Sequence, residues 1–468
     1  MTLTLVINVA IIAFCLWMSK GNIRIFVVYA AIFVSVNSLA LFHHVLPISA
    51  ALVKSLLLLG MLLFSITWAT FTSTPGQVQH IWRQYFSVLA LMFLFLIAML
   101  IGVSYSSEQA YGFNKTRAFA IFAVVPSVIF ILLAPYTRHQ LATMGAIVIL
   151  SSLVVAAGLV VSAQGVLGAR ATLDEAINVN NVARNLGTGL LVGLMVLIFQ
   201  ARSLSKGVLL LVSFSALVLF IAILFTGARG PLLSVGATVT LMLFITIGLR
   251  RIGDVYRAGV VVTAAVVLTG IVVTAAFGQQ LKRIDFQQAQ RVVELTQRIG
   301  DNRSDQQRLE RYRVAADGFQ ASPAIGIGTG GFYRLWQGPP LPISSGITER
   351  DYPHNIFLEA AVELGLLGLL VLLGLMTLLV RKLLQFAWTT YGAPDANVAI
   401  FLGLWIYGLL NAQVSGDIGT NYLVWLGMTL TFMSLARSST VLIPAGSNHL
   451  GEAIPRKRTW LRSGRRFH

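Results

Sequence analysis

The chain has 468 residues, 56% of them apolar and 11% charged, with a formal net charge of +17 and one cysteine. Soluble domains carry about a quarter charged residues, so the composition argues against a soluble globular fold. The lone Cys15 excludes an internal disulfide and a cysteine-built metal centre.

Apolar runs of about 17–25 residues, the length that crosses about 30 Å of hydrocarbon, recur from end to end. They lack the alternation of a transmembrane β-barrel. The expected fold is an all-α polytopic integral membrane protein. In chain order the runs fall at about 3–18, 23–42, 48–72, 84–103, 117–134, 139–163, 185–200, 206–226, 230–249 and 257–277, then 355–380, 396–413 and 419–436. The first lacks a small-residue cleavage site and reads as a membrane segment, not a signal peptide. Residues 3–18 and 23–42 are short and poorly separated, so the thirteen runs are expected to give about twelve crossings, with both termini on one side. No inverted internal repeat is evident.

Basic residues orient the chain. Arg202 and Lys206, then Arg250, Arg251 and Arg257, then Arg381 and Lys382, then the tail at Arg456-Lys457-Arg458 and Arg462–Arg466 all fall on one side. That side is cytoplasmic by the positive-inside rule. The tail suits an anionic lipid surface better than nucleic acid. The loops at 164–184, 226–230, 279–354 and 413–420 then face outward. The expected organisation is N-terminal membrane helices at 1–164, and central helices with outward turns at 165–278. One large helical outward loop follows at 279–354, then C-terminal helices at 355–436 and a basic tail at 437–468.

The large loop is the main polar stretch and is rich in arginine. Residues 287–299 and 302–320 read as helices, with Leu309, Tyr312, Ala316 and Phe319 on one face and Arg308 and Arg311 beside it. Ser322-Pro323 ends the second helix, because proline cannot continue it. A glycine cluster, Gly326 to Gly331, follows. It lacks the Lys-Ser/Thr of a phosphate-binding P-loop.

Four groups of residues are candidates for chemistry. His354 stands where the last long loop meets a membrane helix, and a histidine can take a proton from a hydroxyl near neutral pH. Asp351, Glu359 and Glu363 are its candidate orienting carboxylates; an interfacial structural histidine is the alternative. Arg229 sits in a tight outward turn, Thr226 to Gly230, where the positive-inside rule disfavours it. Ionisable groups in the membrane zone are functional by default, and snorkelling is the alternative. Arg170, Asp174, Asn180, Asn181 and Arg184 form a polar cluster at a helix start, suited to an oxygen-rich ligand or to plain capping. Arg308 and Arg311 have the fork geometry that grips phosphate oxygens, or they line a solvated face. No His/Cys cluster, nucleophile elbow or acidic pair suggests a metal or a hydrolase.

The residues also resemble a family. Thr226-Gly227-Ala228-Arg229-Gly230 resembles the "SRG" turn of the O-antigen ligase and polymerase superfamily. Arg308 through Tyr312 and Pro323 through Phe332 resemble its R-x-x-x-W and glycine-rich stretch. His354-Asn355-Ile356-Phe357-Leu358 with Glu363-Leu364-Gly365 looks like its H-N-x-x-L…E-x-G signature, and Asn180-Asn181-Val182-Ala183 is similar to its P-N-x-x-A element. Ala228, Tyr312 and Asn180 depart from the usual serine, tryptophan and proline. No departure removes a charged residue. The ordered set covers about residues 165–370.

The resemblance implies a GT-C-type glycosyltransferase in the inner membrane of a Gram-negative bacterium, with a periplasmic site and no cofactor or metal. The implied donor is a glycan on undecaprenyl diphosphate. The implied acceptor is lipid A–core, with membrane lipids around a monomer. His354, Arg229 and Arg308 are then catalytic. Arg170, Asn180, Asn181, Arg184, Arg311, Asn355 and Asp351 are then substrate contacts. A polymerase or a protein O-oligosaccharyltransferase of the same superfamily is the nearest alternative. A transporter of polyprenyl-linked glycans is the alternative from another class.

Overall fold

The computed structural model describes residues 12–36, 50–72, 74–134, 136–162, 179–248, 303–337, 352–389 and 395–440. The apolar run at 257–277, the helix expected at 287–299, Arg170, Asp174, Asp351 and the basic tail lie outside them.

Every regular element among the described residues is helical. After helical residues 12–18 come α1 (Ile23–Val36), α2 (Ala50–Thr72) and α3 (Pro75–Tyr105). The span α4 (Gln109–Leu132) carries one π-helical turn at Ala120–Val124. Then follow α5 (Arg138–Ser162), α6 (Val179–Gln200), α7 (Lys206–Thr226) and α8 (Arg229–Gly248). The polar stretch supplies α9 (Arg303–Ala321) and the short α10 (Phe332–Gln337). The bundle closes with α11 (Ile356–Thr389), α12 (Ala396–Asn411) and α13 (Tyr422–Thr440). Seven of the described helices are long and apolar enough to cross a membrane, and four shorter apolar helices accompany them.

Burial sorts the helices. The chain packs α6 against α5, α7, α8 and α12, and α12 against α13, around large buried side chains such as Trp425, Tyr407 and Phe401. By contrast α2 and α7 leave Leu63 and Leu211 more than 60% exposed. Exposed leucine on a helix of spanning length faces lipid, where it costs nothing.

Two elements differ from expectation. The span α4 begins at Gln109, earlier than the apolar run at 117, so the polar residues Asn114, Lys115 and Arg117 belong to the helix. In α9 the buried stripe is Ala315 and Gly318, while Leu309 is 53% exposed. Arg308 and Arg311 precede Ala315 at helical spacing. They therefore lie on the packing face and not beside it.

The glycine cluster is a structural plug. At Gly365 (φ 66, ψ −161) α11 breaks, in a backbone region that only glycine occupies readily. The break frees the Val362 carbonyl and the Leu366 amide from each other. Ile327 N–H then donates to Val362 O (2.9 Å), and Leu366 N–H donates to Pro323 O (2.7 Å). Gly328 N–H donates to Glu363 O (3.0 Å), and the Thr329 hydroxyl donates to Met99 O at 2.7 Å. The turn thus satisfies backbone groups of two membrane helices, as a low-dielectric setting demands.

Candidate active site

The site forms at one end of the bundle, where α6, α8 and α11 begin. A left-handed turn at His354 (φ 60) directs the chain into α11. Asn355 caps that helix, its side-chain oxygen accepting from Phe357 N and Leu358 N, each at 3.0 Å. Arg311 of α9 reaches across, and its Nη1 lies 2.8 Å from His354 Nε2. A guanidinium can only donate, so Nε2 is the acceptor and the ring proton is on Nδ1. Nδ1 is buried and has no hydrogen-bond partner among the described residues. The imidazole also meets the Tyr352 ring edge-on at 4.4 Å, and the Arg311 guanidinium lies 4.9 Å from the centre of the Trp336 ring.

Electrostatics follow from this packing. Burial first, then the charges of Arg311 and Arg308, hold the His354 pKa down at about 3. The ring is neutral throughout the physiological range, and its one lone pair is engaged by Arg311. Burial likewise raises the Tyr352 phenol above its usual range.

The loop between α12 and α13, residues 412–421, joins the scattered motifs. Ile356 N–H donates to Ala412 O (3.0 Å), the Tyr312 hydroxyl to Gln413 O (2.9 Å), and Gly416 N–H to the Tyr352 hydroxyl oxygen (3.1 Å). Arg184 of α6 is 5% exposed and donates to Asn421 Oδ1 at 2.9 Å and to Asn181 Oδ1. Gly230, next to Arg229, abuts Val414, whose Cγ2 would lie 3.8 Å from a methyl placed there. One loop therefore contacts the elements that carry Arg184, Arg229, Tyr312 and His354. Asn180 and Arg229 are half-buried at the starts of α6 and α8.

Glu359 and Glu363 do not orient His354, contrary to one expectation. Lys115 takes both: its Nζ is 2.6 Å from Glu359 Oε1 and 2.7 Å from Glu363 Oε1, and all three side chains are sealed from solvent. The two carboxylates lie one turn apart on one helix face and repel unless a cation intervenes, which drives this pairing. Lys115 and the 412–421 loop were not among the sequence candidates. A signal for the lysine existed, since two glutamates at i and i+4 in an apolar run require a buried cation. Among the described residues no group of three His, Cys, Asp or Glu side chains is placed to hold a metal ion.

The described helices fit a polytopic membrane protein, and Arg311 and His354 meet at one end of the bundle. A family model described as O-antigen ligase matches residues 214–373, which supports membership of the O-antigen ligase/polymerase superfamily. The match begins in α7 and ends in α11. It includes Arg229, Arg308, Arg311, His354 and Asn355. The chain is also similar to a probable peptidoglycan glycosyltransferase FtsW of Halothiobacillus neapolitanus, at 29% identity over 151 residues. That alignment covers 30% of this chain and 36% of the relative's length. Both likenesses point to a membrane glycosyltransferase-type enzyme.

Proposed function

We propose that the protein is an O-antigen ligase: it transfers a glycan from undecaprenyl diphosphate to a sugar hydroxyl of lipid A–core at the periplasmic face of a Gram-negative inner membrane. The observation that carries this reading is the 2.8 Å contact of Arg311 with His354, with Arg308 close enough to act on the same ring. Cations suited to a diphosphate and a base suited to a hydroxyl share one contact.

The step balances without a cofactor. The acceptor oxygen attacks the anomeric carbon, the carbon–oxygen bond to the diphosphate breaks, and the diphosphate leaves with the electron pair. The acceptor proton passes to His354 Nε2. Displacement from the opposite face inverts the anomeric centre. Arg229, Arg308 and Arg311 stabilise the departing charge, and Arg184 with Asn180 and Asn181 flanks the donor. Arg170 and Asp351 belong to the same reading as further contacts. Free, His354 is a weak base because Arg311 occupies its lone pair. An arriving diphosphate competes for the guanidinium, uncovers Nε2 and raises its basicity, so donor binding itself readies the base.

The test is transfer in detergent with EDTA, using undecaprenyl-diphosphate-linked O-antigen and purified lipid A–core. Wild type is expected to form product. His354→Ala is expected to lose about 10²–10⁴-fold in kcat, the usual contribution of a general base. Arg229→Ala is expected to lose about 10²–10³-fold, as when one oxyanion donor is removed. Extension of the donor alone would replace the ligase with a glycan polymerase of the same superfamily. No turnover with either acceptor would leave a transporter of polyprenyl-linked glycans.

A further inference from the structure

The reaction above makes no use of a charged group buried beside the site. Lys115 of α4 is sealed from solvent between Glu359 and Glu363 of α11, with Nζ 2.7 and 2.8 Å from the two Glu363 oxygens and 2.6 Å from Glu359 Oε1. Glu359 faces both ways: its oxygens also accept from Ile418 N–H at 3.1 and 3.2 Å. Ile418 lies in the 412–421 loop. The same loop passes tightly over α4, since a methyl at Gly419 would stand 2.7 Å from the Lys115 carbonyl oxygen. Through that loop run the hydrogen bonds to Tyr312, Tyr352 and Arg184.

We propose that Lys115 is a positioning residue of the site: it bridges Glu359 and Glu363, so that Glu359 stays turned toward Ile418 and thereby sets the loop that aligns Arg184, Tyr312 and Tyr352 with His354. This rests on the transferase reading. The physical reason is charge balance. Two carboxylates one turn apart in a dry site repel each other unless a cation sits between them. If the lysine is removed, nothing holds Glu359 toward Ile418 against Glu363. Glu359 then turns from the Ile418 amide, and a charge-assisted hydrogen bond is lost. The loop loses its anchor some distance from any reacting atom.

The experiment compares Lys115→Met, Lys115→Met with Glu363→Gln, and Glu359→Ala in the full-length protein. The double variant removes the cation together with the like charge it offsets, so no repulsion displaces Glu359, and it keeps Glu359 as the anchor. Lys115→Met is expected to lower kcat by about tenfold or more while donor KM moves less than about threefold, because misaligned groups chiefly cost the transition state. The double variant is expected to recover most of the kcat, and Glu359→Ala to recover none. In parallel, acylation of His354 by diethyl pyrocarbonate is followed by mass spectrometry. It is expected to quicken severalfold in Lys115→Met and to return in the double variant.

Wild-type kcat and His354 acylation both unchanged in a folded Lys115→Met would overturn the proposal. Loss of folded protein in both Lys115 variants would also overturn it, since the lysine would then serve stability alone. The acylation readout needs no turnover. If wild type transfers nothing yet acylation responds as expected, the transferase reading fails and the positioning role stands.

Discussion

At the residue scale, His354 carries the main tension of the site. Its pKa is lowered to about 3 because the protonated ring would be buried beside two arginines. Folding therefore disfavours protonation here. This residue's contribution to stability is intact above its unfolded pKa, near 6.5, and is lost as the pH falls through that value toward 3. The same shift predicts a kinetic asymmetry. In the free enzyme the histidine stays unprotonated, so kcat/KM shows no acid limb from it down to about pH 4. On the proposed reading the diphosphate of a bound donor offsets the arginine charge, so an acid limb is expected in kcat at a higher pH than in kcat/KM. Arg311→Gln removes the nearer cation and is expected to move a limb into kcat/KM as well. Full pH–rate profiles of both enzymes check this, and identical limbs in kcat and kcat/KM would refute the coupling.

At the element scale, the glycine-rich turn and the break in α11 act as one device. Gly328 has φ of 90, and a methyl there would stand 2.6 Å from the Ser106 Cα. Gly328→Ala is expected to destabilise the protein by about 2 kcal/mol or more through backbone strain alone, lowering the thermal midpoint in detergent by several degrees. Gly236→Ala is the control: the position in α8 is open, with nothing within 4 Å of an added methyl. Alanine there is expected to be neutral or slightly stabilising, by up to about 1 kcal/mol. The sequence marked these glycines as a cluster and ruled out a P-loop, because the following residues lack the Lys-Ser/Thr pair. It did not reveal that Val362 and Leu366 would need partners. That need arises only once Gly365 interrupts a membrane helix.

At the scale of the whole molecule, the bundle separates two faces. The starts of α6, α8 and α11 and the 412–421 loop lie together. The α6–α7 connection at residues 201–205 lies at the opposite end, because α6 and α7 each cross the body once. In a Cys15→Ala background, Gln320→Cys is expected to react with a membrane-impermeant maleimide from outside intact cells. Ser203→Cys is expected to react only after permeabilisation. Equal labelling of both would refute the arrangement. Much of this was legible in the sequence. Run lengths of apolar residues gave nearly all the described spans, because hydrocarbon thickness acts on one segment at a time. Loop arginines gave the common face of Arg184, Arg229, Arg308 and His354 for a similar local reason. The pairing of Arg311 with His354, the capture of Glu359 and Glu363 by Lys115, and the 412–421 loop as the shared contact were not legible. Residues 115 and 363 are 248 positions apart. Which distant charges meet is decided by helix packing and by the need to neutralise every charge it buries, and no local pattern along the chain encodes that.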